Sequence, residues 1–383
     1  MEKLENYKSG DYKECSINSE KEYKYFAPSL INKNWGWEDM SLTNLLSKAD
    51  TALAELKGYS SLVPNIDIYI KMHVRIEANK SSKIEGTKTT IEDDFKSIED
   101  ILPEKRDDWQ EVQNYILAFN YGIEKVKELP LCNRFIKELH EKLLCKGRGE
   151  NKTPGEFRKS QNWIGGSMPS NAVYVPPIHT ELPEYLSDLE KFINNDEIDT
   201  PDLVKIAIIH YQFETIHPFL DGNGRIGRLM IPLYLLSKNR LVNSCFYISN
   251  YFEKNRTGYY DALTRVRTNN DMIGWIKFFL KGVIEIADNA KEKFAKVLEF
   301  VKEIEKYISE NDDINSINTR KIVNVLYKEP VFTRNQIVNL TGLSSSTIKN
   351  IIVKLVEKNL ITETTGYSRN QVFSFDPYIK IFE

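Results

Sequence analysis

The spacing of apolar residues along this 383-residue chain predicts helix almost throughout. Leu42, Leu45, Leu46, Ala49, Leu53 and Leu56 fall three and four apart, and Gly58 suits the end of that helix. Pro64 precedes a second helical run, Ile66 to Ile84. Trp109 to Lys127 and Cys132 to Leu144 read the same way, with Pro130 between them. So do Glu184 to Asn194, Asp202 to Ile216, Leu229 to Ser237, Val242 to Glu253, Gly258 to Arg267, and Gly274 to Glu299 or beyond. The first two dozen residues are densely charged and read as a polar tail.

Two stretches break the helical texture. Lys146 to Pro177 is crowded with glycine and proline. Within it, Gln161 to Ile164 and Val173 to Val175 read as short strands flanking Gly165 to Ala172, an irregular β-hairpin. An ordered Gly/Pro-rich loop in a helical protein is either a plain surface connection or a functional loop. The second break is the polar Asn311-Asp312-Asp313. Beyond it come short helices at Thr319 to Tyr327, Thr333 to Leu340 and Ser344 to Lys358. Ile361 to Phe375 then reads as two strands around Thr365-Gly366-Tyr367-Ser368. Helix, helix–Gly turn–helix, hairpin is the pattern of a winged helix-turn-helix. The expected fold class is mainly α, in three parts: 1–110, 111–300 and 312–383.

Composition adds bounds. Hydrophobic residues are 41%, charged residues 28%, and the net charge is −3. That is an ordinary globular balance with no global pull toward nucleic acid or membrane. No window approaches the ~18 apolar residues of a spanning helix. The charged N-terminus argues against a secretory signal. Cys15, Cys132, Cys145 and Cys245 form no CxxC pair, which suits free thiols in a reducing cytoplasm. Residues 314–383 carry nine Lys or Arg and five Asp or Glu, a local excess of +4. DNA binding through 312–383 and a role as a protein-docking or dimer module are both compatible with that excess.

The chemistry concentrates in His217-Pro218-Phe219-Leu220-Asp221-Gly222-Asn223-Gly224-Arg225-Ile226-Gly227-Arg228. Gly222 and Gly224 let successive N–H groups turn toward one point, and a helix starting there adds its unpaired donors and positive dipole end. That is an anion site suited to phosphate. Arg225 and Arg228 project from one helical face beside it. Asp221 with phosphate oxygens suits Mg2+. His217 at the preceding helix end suits a general base. Singly, each feature is more often structural; packed into twelve residues, they point to polyphosphate chemistry.

This stretch matches the HPFx(D/E)GNGRxxR motif at every defined position, and the chain resembles the Fic-domain family. Gly165 to Pro177 resembles the family's flap, with Gly166, Val173, Tyr174 and Val175 set to align a target segment as an added strand. Tyr251 to Tyr260 and Trp275 to Leu280 are also similar to the family. Residues 25–110 resemble the N-terminal helical extension of one subgroup. Ser81-x-x-x-Glu85-Gly86 matches that subgroup's inhibitory motif, (S/T)xxxE(G/N). On pattern alone that segment is a helix end and a turn, followed by a Thr90/Asp93 capping box. The last domain resembles the winged helix appended to many family members.

The resemblance implies adenylyl transfer (AMPylation): ATP and Mg2+ bind, and a target Ser, Thr or Tyr hydroxyl attacks the α-phosphate. His217 is then the base and Asp221 the metal ligand. Gly222, Asn223 and Gly224 hold phosphate oxygens, Arg225 and Arg228 bind the outer phosphates, and Asn255, Tyr259 and Tyr260 lie near adenine or ribose. Gly224 stands where the Doc branch, which phosphorylates its target, has lysine; glycine favours AMP transfer. Glu85 is expected to pair with Arg228 and block the γ-phosphate position. The same Glu85 is also compatible with positioning a water to remove AMP from a modified target. A nucleotide-sensing DNA-binding regulator is the reading from another class. The protein itself is among the expected targets, a homodimer is compatible, and a cytoplasmic location without membrane contact is expected.

Overall fold

The computed structural model describes residues 1–17, 21–62, 66–96, 98–242, 245–367 and 371–382. It is mainly helical. Short strands β1 (Glu2–Lys3) and β4 (Trp35–Gly36) pair in parallel, and β2 (Gly10–Ile17) pairs antiparallel with β3 (Lys21–Pro28). Helices α1 (Met40–Leu62), α2 (Asp67–Ile84), α3 (Arg106–Lys125), α4 (Asn133–Leu143), α5 (Leu182–Asn194), α6 (Asp202–Ile216), α7 (Asn223–Ser237), α8 (Ser249–Lys254), α9 (Arg256–Asn269) and α10 (Met272–Glu310) follow. The last unit holds α11 (Ile317–Leu326), β5 (Val331–Thr333), α12 (Arg334–Thr341), α13 (Ser345–Glu357), β6 (Thr362–Glu363), β7 (Val372–Ser374) and α14 (Asp376–Ile379). Its sheet order is β5-β7-β6.

α6 and α7 are apolar on nearly every face, so both must lie inside. α6 buries Leu203, Ile206, Ile209, Phe213 and Ile216, and α7 buries Ile226, Leu229, Leu233 and Leu235. The loop between them is thereby held at the centre of the molecule. α1 and α10 run side by side in parallel, with Asp39 paired to Lys277 at one end and Glu55 to Lys291 further along. One contiguous apolar core extends from Leu4 to Phe382.

α2 is anchored along its whole length. Tyr69 stacks between His73 and Phe294, 3.8 and 3.6 Å from their ring centroids, and Phe382 meets His73 edge-on. Lys71 and Arg75 face Glu329 of the last unit. One turn before Ser81, the buried Glu77 carboxylate accepts from Tyr115 Oη and from the N–H and hydroxyl of Ser249. Burial raises its pKa to about 7, although Ser249, Arg228 and Tyr115 favour the charged form. Asn79 Nδ2 donates to Thr89 O and Asp94 Oδ2, which folds the segment after α2 back onto the helix.

Several expectations are corrected. The polar tail is instead the β2–β3 hairpin. Tyr23, Tyr25 and Ala27 line one face of β3 and pack on Val175, while β2 shows charged residues to solvent and so reads as unstructured. α1 runs through Gly58 to Leu62, because its buried Leu56 and Ser60 continue the inner face. The Thr90–Asp93 box forms but opens only a one-turn 3-10 helix, Asp93–Phe95. Of Val242 to Glu253 only Ser249 onward is α-helical, and Asn243 and Ser244 lie outside the described residues, as do Pro64 and Ser368. The hairpin expected within 161–175 has no strands; a single bridge joins Ile164 to Tyr174. There Val175 O instead accepts from Phe26 N of β3 at 2.9 Å.

Candidate active site

α6 ends at His217, which closes the helix in the left-handed region (φ 49°) with its N–H on Phe213 O. That is a costly conformation for a residue with a Cβ, and the turn it makes puts His217 in the cavity wall. Nδ1 lies 3.3 Å from Glu214 O and serves as donor, which leaves the Nε2 lone pair free. Burial pulls the ring's pKa down to about 4, against the opposing pull of the Glu214 carbonyl, so it is a neutral base at physiological pH.

α7 begins at Asn223, preceded by Gly222 at φ 78°. The N–H of Gly222 meets Asp221 Oδ1 at 2.6 Å. Among the described residues the N–H groups of Asn223, Gly224 and Arg225 have no acceptor. Three free donors and a helix dipole therefore point into one cavity of about 430 Å3. His217, Asp221, Gly224, Arg225 and Glu85 line it, with Glu111, Thr87, Arg148 and Lys152 at its rim. Unbonded N–H groups at a helix start are the kind of donors that favour an anion.

Glu85 occupies one side of it. Its Oε1 lies 2.6 Å from a terminal nitrogen of Arg228. The same guanidinium gives Nε to Ser81 Oγ and its other bond to Ser81 O, both at 2.9 Å. Ser81 and Glu85 therefore grip Arg228 from two successive turns of α2. Burial opposes charge on Glu85, but Arg228, with help from Arg225 and His217, holds its pKa below the usual value. A Cβ built on Gly224 would come within 2.3 Å of Glu85 Oε1 and 2.9 Å of Arg228. Gly224 is therefore what lets the pair close over the helix start.

Arg225 is also occupied: Glu111 of α3 binds it at 3.0 Å and Asp221 at 3.4 Å, and Arg148 shares Glu111. Asp221 is 44% exposed, and among the described residues its second oxygen is unshared. The Glu214 carboxyl, beneath Gly227, is raised by burial to about 7, against the pull of Arg228.

Two site readings change. The Asn223 side chain does not face the cavity; it bonds both the N–H and the carbonyl of Phe219 at 2.8 Å and so staples the loop. Tyr259 is buried, with its hydroxyl on His210 Nε2 and its ring stacked on Phe252, so it packs the core rather than facing a ligand. Asn255 Nδ2 caps α8 on Tyr251 O, while Tyr260 is open at 42% exposure. In the segment expected to be the flap, Gly166 turns the chain, Val173 is 76% exposed, and Tyr174 is pinned by its hydroxyl to Thr215 O at 2.6 Å. His140, Arg158, Asn162 and Glu111 lie outside the motif and were not singled out in sequence. Only their distance from the motif hid them, since nothing local marks a buried His or Arg as a loop partner.

Fold and site together define a helical protein built around an anion cradle beside a neutral histidine. Residues 43–124 match the pattern described as Fic/DOC family N-terminal, and residues 130–235 match that of the Fic/DOC family. The chain thus carries a Fic/DOC N-terminal region followed by a Fic domain. A 132-residue stretch is 31% identical to Protein adenylyltransferase Fic of Drosophila erecta, and 32% identical to that of Drosophila grimshawi. That stretch is 34% of this chain, and it spans about a quarter of those relatives, 25% and 26% of their lengths. Among solved structures, a Fic family protein from Desulfovibrio desulfuricans G20 aligns at TM-score 0.54 and 20% identity, over 88% of this chain and 96% of the other. A Fic domain containing signaling protein from Bacteroides thetaiotaomicron VPI-5482 aligns at 0.53 and 22%, over 67% and 96%. Both likenesses are of fold.

Proposed function

We propose that the protein is an adenylyltransferase that moves AMP from ATP to a Ser, Thr or Tyr hydroxyl of a protein, and that Glu85 restrains it. The observation that carries this is the row of free N–H groups at the start of α7, facing His217 Nε2 across one cavity. The target oxygen attacks the α-phosphorus, the bond to the bridging oxygen of the β-phosphate breaks, and pyrophosphate leaves. His217 Nε2 takes the hydroxyl proton. The N–H groups of Asn223 and Gly224 hold the charge on the phosphoryl oxygens. Arg225 and Arg228 hold the outer phosphates once Glu111 and Glu85 give way. Asp221 fits Mg2+ because its carboxylate is exposed at the cavity with one oxygen unshared; the ion would neutralise charge on the phosphates. Val173 of the flap is the exposed edge where a target segment is aligned.

Residues 1–110 serve as the restraining extension, 111–300 as the catalytic unit and 312–383 as a winged-helix docking unit. For the last, α13 presents Ser345, Ser346, Lys349 and Asn350 to solvent, a polar face compatible with DNA. A cytoplasmic location goes with this reading; among the described residues no helix is long and apolar enough to cross a membrane.

The test is label transfer from ATP in the Glu85→Gly protein, followed by mass spectrometry. One added AMP per modified hydroxyl, lost in Glu85→Gly/His217→Ala, is expected; no incorporation in either would reject the proposal. A second reading is removal of AMP. Among the described residues Glu85 Oε2 has no hydrogen-bond or ion-pair partner, and Glu85 lines the cavity, where it suits a water. Release of AMP from a modified target by the wild-type protein, with Mg2+ and without ATP, would favour it.

A further inference from the structure

The loop His217 to Gly222 has its carbonyls tied down from behind. Arg158 Nε and Asn162 Nδ2 hold His217 O, at 3.0 and 3.3 Å. Arg158 N holds Pro218 O at 2.9 Å, and Asn162 and Asn223 both hold Phe219 O at 2.8 Å. The remaining anchor is His140, on the last turn of α4. Its Nδ1 receives the N–H of Gly155 at 2.9 Å, and its Nε2 lies 3.0 Å from Asp221 O. A backbone N–H can only donate, so Nδ1 is the acceptor and the ring proton sits on Nε2, donated to Asp221 O. The ring is fully buried and lies parallel to Phe219, with centroids 3.7 Å apart and planes 7° apart. A Cβ on Gly222 would stand 3.6 Å from it.

In a trans peptide the carbonyl and the following N–H point in opposite directions. Holding Asp221 O on the α4 side therefore turns the Gly222 N–H toward the cavity, where it meets Asp221 Oδ1 at 2.6 Å. One peptide unit thus sets the aim of the Asp221 carboxylate and leads the chain into the three free donors at the start of α7. We infer that His140 is a positioning residue: its Nε2–H fixes the Asp221–Gly222 peptide, and through it the carboxylate offered to a metal and the donors offered to phosphate. His140 touches none of the reacting atoms. The packing of its ring and the hydrogen bond it gives are separable, which makes the inference testable.

The activity arm rests on adenylyl transfer by this cavity; the binding arm does not. In the Glu85→Gly protein, His140→Phe keeps the stacking on Phe219 and loses the donor, whereas His140→Gln keeps a donor that reaches Asp221 O and loses the ring; both lose the Nδ1 acceptor of Gly155 N–H, so the two differ in the bond to Asp221 O and in the ring. The quantity read is the Mg2+ concentration giving half-maximal label transfer, together with calorimetric affinity for inorganic pyrophosphate in Mg2+. His140→Phe is expected to raise the Mg2+ requirement and weaken pyrophosphate about tenfold, with His140→Gln within about threefold of the parent. Equal Mg2+ requirement and equal pyrophosphate affinity in His140→Phe and the parent would overturn the inference. If His140→Phe fails to fold, His140→Asn, whose shorter side chain cannot reach Asp221, replaces it against His140→Gln; indistinguishable values in those two would be equally decisive. A parent that binds Mg2+–pyrophosphate yet transfers no label would refute the transferase reading while leaving the His140 comparison intact.

Discussion

Glu85 Oε1 closes to 2.6 Å on Arg228 across 143 residues of chain, and the contact sits over Gly224 at the first turn of α7. On the proposed reading, an internal carboxylate fills the place of an outer phosphate. A charge-assisted hydrogen bond contributes roughly 1.5–3 kcal/mol, and partial exposure of Glu85 argues for the lower end. Glu85→Gly is therefore expected to raise label incorporation from ATP about tenfold or more. Equal incorporation by wild type and variant would remove Glu85 from regulation.

Ser81 contributes to the same grip from one turn earlier. Ser81→Ala leaves the buried Arg228 Nε without its acceptor. The expected cost is about 1–3 kcal/mol of folding stability, measured by urea unfolding. Label incorporation should fall between wild type and Glu85→Gly, because Ser81 O and Glu85 still hold the guanidinium.

Gly224→Ala separates room for the carboxylate from room for phosphate. The new Cβ displaces Glu85 Oε1 but stands in the cradle itself. The variant should stay as inactive as wild type, and adding Glu85→Gly should not rescue it. Recovery in the double variant would mean that phosphate does not approach Gly224.

Helix α2 is tied to the last unit through Phe382, which packs on Tyr69 and His73. Phe382→Ala should cost about 3 kcal/mol. It should also speed amide exchange along α2 more than along α6, read by hydrogen–deuterium exchange. Uniform acceleration would mean that α2 is not specifically held there.

Stability should peak between about pH 5 and 6, where two opposing sets of buried groups balance. Burial lowers the pKa of His140 and His217 to about 4 and that of His210 to about 3, so the unfolded chain binds protons that the folded chain refuses as pH falls below 6.5. Burial raises Glu77 and Glu214 to about 7 and Asp94 to about 8, so above pH 4.5 the unfolded chain releases protons that the folded chain keeps. From pH 6.5 to 8 only the second effect remains, and thermal unfolding should move to lower temperature. Glu77→Gln should flatten that alkaline limb; an unchanged limb would mean that Glu77 is already ionised in the fold.

The helices were legible because their apolar spacing records one buried face, and the site was legible because His217 to Arg228 is contiguous. What escaped was non-local. β2 looks like a tail because only its partner β3 carries the buried residues Tyr23, Tyr25 and Ala27. The Asn223 side chain looks like a phosphate ligand until its two bonds to Phe219 are seen. His140 and Arg158 hold carbonyls up to 81 residues away, and backbone acceptors leave no mark in a sequence.

α10 has one more consequence. Its 39 residues form an unbroken rod about 58 Å long, starting beside α6 at Trp275 and ending at the last unit. A helix turns by about 100° per residue, so the rod fixes the phase of everything beyond it. Inserting a single residue between Val297 and Glu303 would swing Glu329 and Phe382 around the axis and away from α2. The chain can lengthen its surface loops freely, but in α10 length is rotation, and the setting of α2 depends on it.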